Sequence, residues 1–300
     1  MTGKGGRYTP DVVIMTDSNA GMTQEEGKKC GVEILPMSFI INGKICYEER
    51  DISHEAFFRK LEENAQVSTS QPAPGEVMEL WEKLLKRHDE VVYIPMSGGL
   101  SKSFETARML AGDYNGRVQV VDSKRISVPQ KLMVSDGLAL AKEGKTAAQI
   151  RMILEESALD CAIYIAVDTL KYLKRGGRIT GAAAAIGTML NIKPVLLMKG
   201  ERLDAYEKAR GTKAARRVML EAIRKELEGP FKEYADKNEV CLQMAHTCMK
   251  EELIAEWETK IREEFPDLKL ETAPLPLCIA CHIGPDGFGI GITRRIRMEN

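Results

Sequence analysis

The residues best suited to chemistry in this chain are hydroxyls placed where strands end. Ser97-Gly98-Gly99-Leu100-Ser101-Lys102-Ser103 follows the run Val91-Val92-Tyr93-Ile94 and leads into residues 102–111, which have helical character. A run that is apolar on both faces and rich in β-branched residues predicts a buried parallel strand. The glycines predict a sharp turn with positive φ. Such a turn delivers hydroxyls and free N–H groups to a helix N-terminus, a place that favours an anion. The same residues also fit an ordinary strand-to-helix loop with a serine cap. Three further segments carry hydroxyls at strand ends: Thr16-Asp17-Ser18, Ser68-Thr69-Ser70 and Asp122-Ser123. Ligands of open α/β sheets lie outside the carboxyl ends of the strands, so the four segments together outline a crevice of neutral donors. Basic groups for it come from the second half: Arg178 beside Gly176-Gly177, Lys208, Arg210, and His282 shortly before Gly284-Pro285. Each also has a plain structural reading. Arg178 fits a surface cation after a helix, His282 a structural histidine, and Lys208 and Arg210 a solvated or partner-facing strand face.

Other chemistries compete for these residues. Pro95-Met96-Ser97-Gly98-Gly99 sits on a strand-to-helix turn, as a nucleophile elbow does, but lacks the first glycine of G-x-S-x-G. A serine hydrolase acting on acyl esters would use Ser97 as nucleophile. It would need His282 and an acid such as Asp168 to converge on that serine. Cys278-Ile279-Ala280-Cys281-His282 matches the C-x-x-C-H of c-type haem attachment. That attachment belongs to exported proteins, and LPLCIAC reads as a strand that would turn the two cysteines to opposite faces. A zinc site would need two more ligands at suitable spacing. No predicted strand is followed by the G-x-G-x-x-G of a dinucleotide site.

The elements that must position these groups fall into two halves, as a chain of 300 residues suggests. Over residues 11–165, strands are expected at 12–15, 32–41, 45–48, 91–94 and 117–121, with Asn42-Gly43 as a hairpin turn. Helices are expected at 53–64, capped by Ser53, and at 76–87, 102–111 and 134–143. VSTSQPAPG reads as a loop fixed by its prolines. The alternation predicts an α/β domain with a largely parallel sheet and flanking helices. A strand at 162–167 marks the boundary, and the rhythm changes over residues 166–300. A short helix at 170–174 ends in Gly176-Gly177, and the small-residue stretch GAAAAIGTML follows. Strands are expected at 195–198, 202–209, 240–246 and 269–273, helices at 213–227 and 250–265, and sheet edges around Ile279 and Ile290. This pattern fits a mixed or antiparallel α/β domain.

With 43 basic and 44 acidic residues the net charge is −1, which implies no general attraction to nucleic acid or anionic lipid. No apolar run reaches the ~18 residues of a membrane span. Residues 1–10 are polar and glycine-rich, without a hydrophobic leader core, and read as a loose tail; cytoplasm is the expected location. Seven scattered cysteines fit reduced thiols packed as small hydrophobes rather than a disulfide scaffold.

Seven pieces occur in a characteristic order: the strand-TDS opening, TSQPAPGE, SGGLS, Asp122-Ser123, LKRGGRITGAAAAIGTMLNIKPVL, KARGTKA and HIGPDGFGIG. Over residues 11–295 the chain thereby resembles the DegV family, bacterial fatty-acid-binding proteins that include the binding subunits of fatty acid kinase. The resemblance implies a two-domain DegV-like α/β fold holding a long-chain fatty acid. The tail would be buried in the N-terminal domain and the carboxylate would face the crevice between domains. It implies a lipid-binding protein rather than an enzyme, with no cofactor or metal beyond the bound lipid. It also implies a separate kinase subunit that phosphorylates the carboxylate with ATP to give an acyl phosphate. Carried over motif to motif, the carboxylate-binding residues are Thr69, Ser101, Arg178 and His282, with Ser70, Ser97, Gly98, Gly99 and Ser123 around them. Tail burial would supply affinity, at about 0.8 kcal/mol per CH₂, and the polar set would supply orientation. Two departures stand out. The family's usual S-G-T-Y is Ser101-Lys102-Ser103-Phe104 here, and its S-M-G-Q-G is Ser127-Val128-Pro129-Gln130-Lys131. Pro129 and Lys131 replace glycines, which bears on chain-length preference and on the match to a kinase partner.

Overall fold

The computed structural model describes residues 9–185, 192–247 and 250–297. Most of the expected tail, the end of the small-residue stretch at 186–190, and Cys248 lie outside the described residues. Along the described residues run the strands β1 (Val12–Asp17), β2 (Val32–Leu35), β3 (Ser38–Ile41), β4 (Lys44–Tyr47), β5 (Val67–Thr69), β6 (Glu90–Ile94) and β7 (Val118–Val120). They are followed by β8 (Cys161–Ala166), β9 (Ile192–Met198), β10 (Asp204–Arg210), β11 (Val240–His246), β12 (Lys269–Pro274) and β13 (Phe288–Arg294).

The first half is built on a parallel sheet of order β2-β1-β6-β7. Its carboxyl ends share one edge, and the strand order reverses between β1 and β6, the place where such sheets open a crevice. Both faces are covered, which is why Val91, Val92, Tyr93 and Ile94 are all fully buried. Val92 and Ile94 pack with the helices Val128–Lys142 and Ala147–Glu156, while Val91 and Tyr93 pack with Pro74–Leu84 and Ser103–Ala111. The strand expected over 32–41 breaks at Pro36, which has no N–H to continue a ladder. Its second piece, β3, joins an antiparallel sheet of order β4-β3-β5. Asn42 and Gly43 form the expected hairpin turn, both with positive φ. Part of VSTSQPAPG, expected as loop, is β5, so the loop proper begins at Ser70.

The second half is a mixed sheet of order β10-β9-β8-β13-β11-β12, antiparallel except for the β11–β12 pair. β8 belongs to this sheet, so the division expected at 165/166 falls one strand late. β13, expected as an edge, lies in the interior between β8 and β11.

The segment LPLCIAC is the helix Leu277–Ile283 rather than a strand. Pro276 precedes its first residue, and Gly284 with φ +79 ends it. It is apolar nearly all round, and that hid its period: such a helix is buried on every side. It packs on the three-stranded sheet, in one core with Phe39, Phe57 and Phe58. The helix Val128–Lys142 begins before the expected 134 because Pro129 is tolerated in a first helical turn. Four helices among the described residues fall outside the expected elements: Gln24–Cys30 and Ala147–Glu156, which both begin with a capping box, and the short Gly181–Ala184 and Lys232–Asp236.

Candidate functional site

A cavity lies between the parallel sheet's carboxyl edge and one face of the six-stranded sheet. Its apolar wall follows from strand alternation. On β13, Phe288, Ile290 and Ile292 point into the core beneath the helix Thr212–Glu228, while Gly289 and Gly291 face the cavity. On β8, Tyr164 points to that core while Ile163 and Ile165 face the cavity. The glycines of FGIGI therefore leave open space on an otherwise packed sheet face. The first half adds Met96, Leu100, Ile126 and Pro129, and the helix Leu277–Ile283 adds Ile279 and Ile283. The resemblance placed a ligand tail in the first half, but the cavity lies between the halves and takes much of its wall from the second.

Thr69, Ser70, Ser101, Arg178 and His282 all line this one cavity. Thr69 ends β5, where it presents its hydroxyl 2.9 Å from His282 Nε2. His282 sits against the backbone of Gly176, where a Cβ would fall 2.1 Å from its Nδ1. Burial, reinforced by Arg178 and Arg175, pushes the His282 imidazolium down to a pKa of about 4, so the ring is neutral at pH 7. Arg178 donates from Nε to Leu100 O at 3.0 Å and from Nη1 to Gly176 O at 2.5 Å. Burial lowers its pKa, with Arg202 adding to the effect, but an arginine in this range stays charged. Ser101 Oγ accepts from Ser103 N at 3.2 Å, so it closes the helix start while its own hydrogen remains available. No aspartate or glutamate lines the cavity among the described residues.

Ser97, Gly98, Gly99 and Ser123 do not line the cavity; they shape the turn that does. Ser97 Oγ donates to Gly200 O at 2.5 Å and accepts from Gly99 N at 3.1 Å. Ser123 Oγ donates to Pro95 O at 2.6 Å. Neither Gly98 nor Gly99 has the positive φ expected of it. Glycine serves instead for close approach: a Cβ at Gly99 would lie 2.6 Å from Glu201 Cα, and one at Gly98 2.9 Å from Phe104 Cδ1. Asp17, in sequence simply part of a polar turn, is fully buried and holds this turn from beneath. It accepts from Met96 N at 2.9 Å, Asn19 N at 3.0 Å and Gln130 Nε2 at 3.3 Å. Burial raises its pKa to about 6, against the pull of those hydrogen bonds.

The residues of the competing chemistries are engaged elsewhere. Ser97 is bonded to Gly200, His282 to Thr69, and Asp168 is ion-paired with Lys193. Cys278 and Cys281 stand three residues apart on a buried helix rather than on opposite strand faces. Burial pushes the Cys278 thiol well up and that of Cys281 to about 12, which leaves both poor nucleophiles. No group of three or more His, Cys, Asp or Glu side chains among the described residues could hold a metal. Lys208 and Arg210 are exposed on β10, away from the cavity. Of the two departures, Pro129 lines the cavity, whereas Lys131 pairs with Glu26 at 2.9 Å.

An apolar cavity lined by one guanidinium, four hydroxyl residues, two carboxamides and a neutral imidazole can hold an amphiphile with an anionic head, and the fold around it is an α/β fold of three sheets. A family model described as an uncharacterised protein of the DegV family matches residues 11–295, and the chain belongs to that family. A DegV domain-containing protein of Deinococcus radiodurans is 33% identical over 215 residues, which is 71% of this chain and 76% of the relative. One from Caldanaerobacter subterraneus is 29% identical over 93% of this chain and 97% of its own. Among solved structures, a DegV family protein of Thermus thermophilus described by its fatty acid binding superposes with a TM-score of 0.85. It has 30% identity and covers 95% of this chain and 99% of that one. DegV of Bacillus subtilis, described as a fatty acid binding protein, has a TM-score of 0.80 and 25% identity, with the same coverage. No helix among the described residues is long and apolar enough to cross a membrane.

Proposed function

We propose that this protein binds a long-chain fatty acid, with the acyl tail in the cavity and the carboxylate at Thr69, Ser101, Arg178 and His282. The observation that carries this reading is the lining itself: one cation and several neutral donors in an apolar cavity that no carboxylate faces. A fatty acid carboxylate left unpaired there would be costly, and these donors answer it. The descriptions of the Thermus thermophilus and Bacillus subtilis relatives as fatty acid binding support the same reading. The finer proposal is that the head group is presented to a separate kinase subunit. There a carboxylate oxygen would take the γ-phosphoryl group of ATP, releasing ADP and forming an acyl phosphate. The chain itself then needs no catalytic residue, metal or cofactor. Reconstitution with a fatty acid kinase catalytic subunit, ATP and a loaded protein tests this by the appearance of acyl phosphate, trapped as a hydroxamate. Acyl phosphate formed without the kinase subunit, or none with it, would overturn the presentation role.

A further inference from the structure

Three residues that line the cavity apart from the proposed head-group set each carry a buried polar atom without a partner. Asn19, Ser127 and Gln243 line the cavity, and each is at most 4% exposed. Asn19 Oδ1, Ser127 Oγ and Gln243 Nε2 are buried without a hydrogen bond. The other polar atoms of two of these side chains are fixed. Gln243 Oε1 accepts from the Thr293 hydroxyl at 2.9 Å, and Asn19 Nδ2 donates to Met96 Sδ at 3.1 Å. Gln243 thus has a donor left over and Asn19 an acceptor, while the Ser127 hydroxyl can serve as either.

The three lie on adjoining parts of the wall. Ser127 N donates to Asn19 O at 2.9 Å. A Cβ on Gly291 would lie 3.1 Å from Gln243 Oε1 and 3.4 Å from Pro129 Cγ, which places the start of the helix Val128–Lys142 beside Gln243. Ser127 adds a second, independent sign. Its backbone has φ +57 and ψ −138, its side chain makes no capping bond, and glycine would fit that conformation far better. A strained serine whose idle hydroxyl is desolvated in the wall of a cavity is costly unless that hydroxyl meets a partner.

A purely hydrocarbon tail would leave all three atoms desolvated and unpaired. A hydroxyl on the chain can donate to Asn19 Oδ1 and accept from Gln243 Nε2. We infer that Asn19, Ser127 and Gln243 form a second polar subsite that takes an oxygen on the acyl chain, so that the cavity prefers a hydroxylated fatty acid. This inference rests on the fatty acid reading above.

The test is the affinity of delipidated protein for stearic acid and for the positional series of monohydroxystearic acids, by titration calorimetry. At least one hydroxy isomer is expected to bind about tenfold more tightly than stearic acid. That ratio should fall towards one in Gln243→Met and in Ser127→Gly, and Ser127→Gly should melt at a higher temperature because the backbone strain is relieved. Stearic acid binding as tightly as every hydroxy isomer would overturn the subsite alone and mean that water fills it. A preference unchanged in both variants would also overturn it. Failure of every acid to bind would overturn the fatty acid reading beneath it.

Discussion

Thr69 Oγ1 and His282 Nε2 stand 2.9 Å apart across 213 residues of chain. One ends β5 of the three-stranded sheet; the other lies in the helix packed on that sheet, near the far end of the sequence. Both line the cavity and, on the proposed reading, offer the carboxylate two neighbouring groups. Thr69→Val keeps the shape and removes the hydroxyl. It should weaken fatty acid binding by roughly 1–3 kcal/mol, read by displacement of a fluorescent fatty acid. Unchanged affinity would remove Thr69 from the head-group site.

His282 supplies a pH test with a definite sign. Burial, with Arg178 and Arg175, holds its pKa near 4 in the folded protein, against 6.5 for an ordinary histidine. Between those values the unfolded chain binds more protons, so this group lowers stability as pH falls from 6.5 towards 4. Asp17 and Asp136, both raised to about 6 by burial, act in the opposite direction as pH falls from 6 towards 3.8. They are common to wild type and His282→Gln, so comparing the two isolates the histidine. The variant should gain stability relative to wild type by on the order of 2 kcal/mol between pH 7 and pH 4, measured by urea unfolding. In addition, a bound carboxylate should raise the His282 pKa, seen in the NMR titration of its ring protons with and without fatty acid.

Three serines of the Ser97–Ser103 turn should separate by role. Ser97→Ala removes the tie to Gly200 O and should cost roughly 1–3 kcal/mol of stability, read as a lower melting temperature, with no loss of an enzymatic step. Ser101→Ala should retain lipid less firmly and support little acyl-phosphate formation with a competent kinase subunit, because phosphoryl transfer depends on alignment. Ser103 Oγ is buried without a partner and lies off the cavity, so Ser103→Ala should be mild in both assays. Kinase-coupled turnover damaged by Ser103→Ala and spared by Ser101→Ala would place the carboxylate on the wrong hydroxyl.

Gly289 faces the cavity, and a Cβ there would meet Ile165 Cγ1 at an ordinary 3.6 Å. Gly289→Val should therefore fold and fill part of the cavity. Each methylene it excludes should cost about 0.8 kcal/mol, so affinity for the longest acids should fall more than affinity for shorter ones. An equal loss at every chain length, measured over a series of saturated acids, would show that the tail does not reach β13.

Much of this arrangement was legible in residues 11–295. The buried strand before SGGLS, the Asn42-Gly43 hairpin and the mixed second sheet all followed from local pattern. The cavity-lining residues Thr69, Ser70, Ser101, Arg178 and His282 came from motif order, and nothing in their spacing joins Thr69 to His282. What stayed hidden has physical reasons. The helix Leu277–Ile283 is apolar on every side, so it lacks a polar stripe to reveal its period. The glycines of SGGLS suggest backbone freedom, whereas the fold uses them for close packing against residues 200–201 and Phe104. Two local signals in the sequence do mark such features. Thr23 with Glu26 and Thr146 with Gln149 are capping boxes that announce the helices Gln24–Cys30 and Ala147–Glu156. Gly289 and Gly291, alternating with Ile290 and Ile292, mark a strand face kept open.

The most direct test of the central claim is what the purified protein carries. Denaturing the protein from a bacterial host, extracting it with organic solvent and quantifying lipid by mass spectrometry should give about one long-chain fatty acid per chain. Retention through purification follows from the gross burial of a long tail, on the order of 10 kcal/mol. A protein that carries no fatty acid, and that takes up none when long-chain acids are added, would contradict the account.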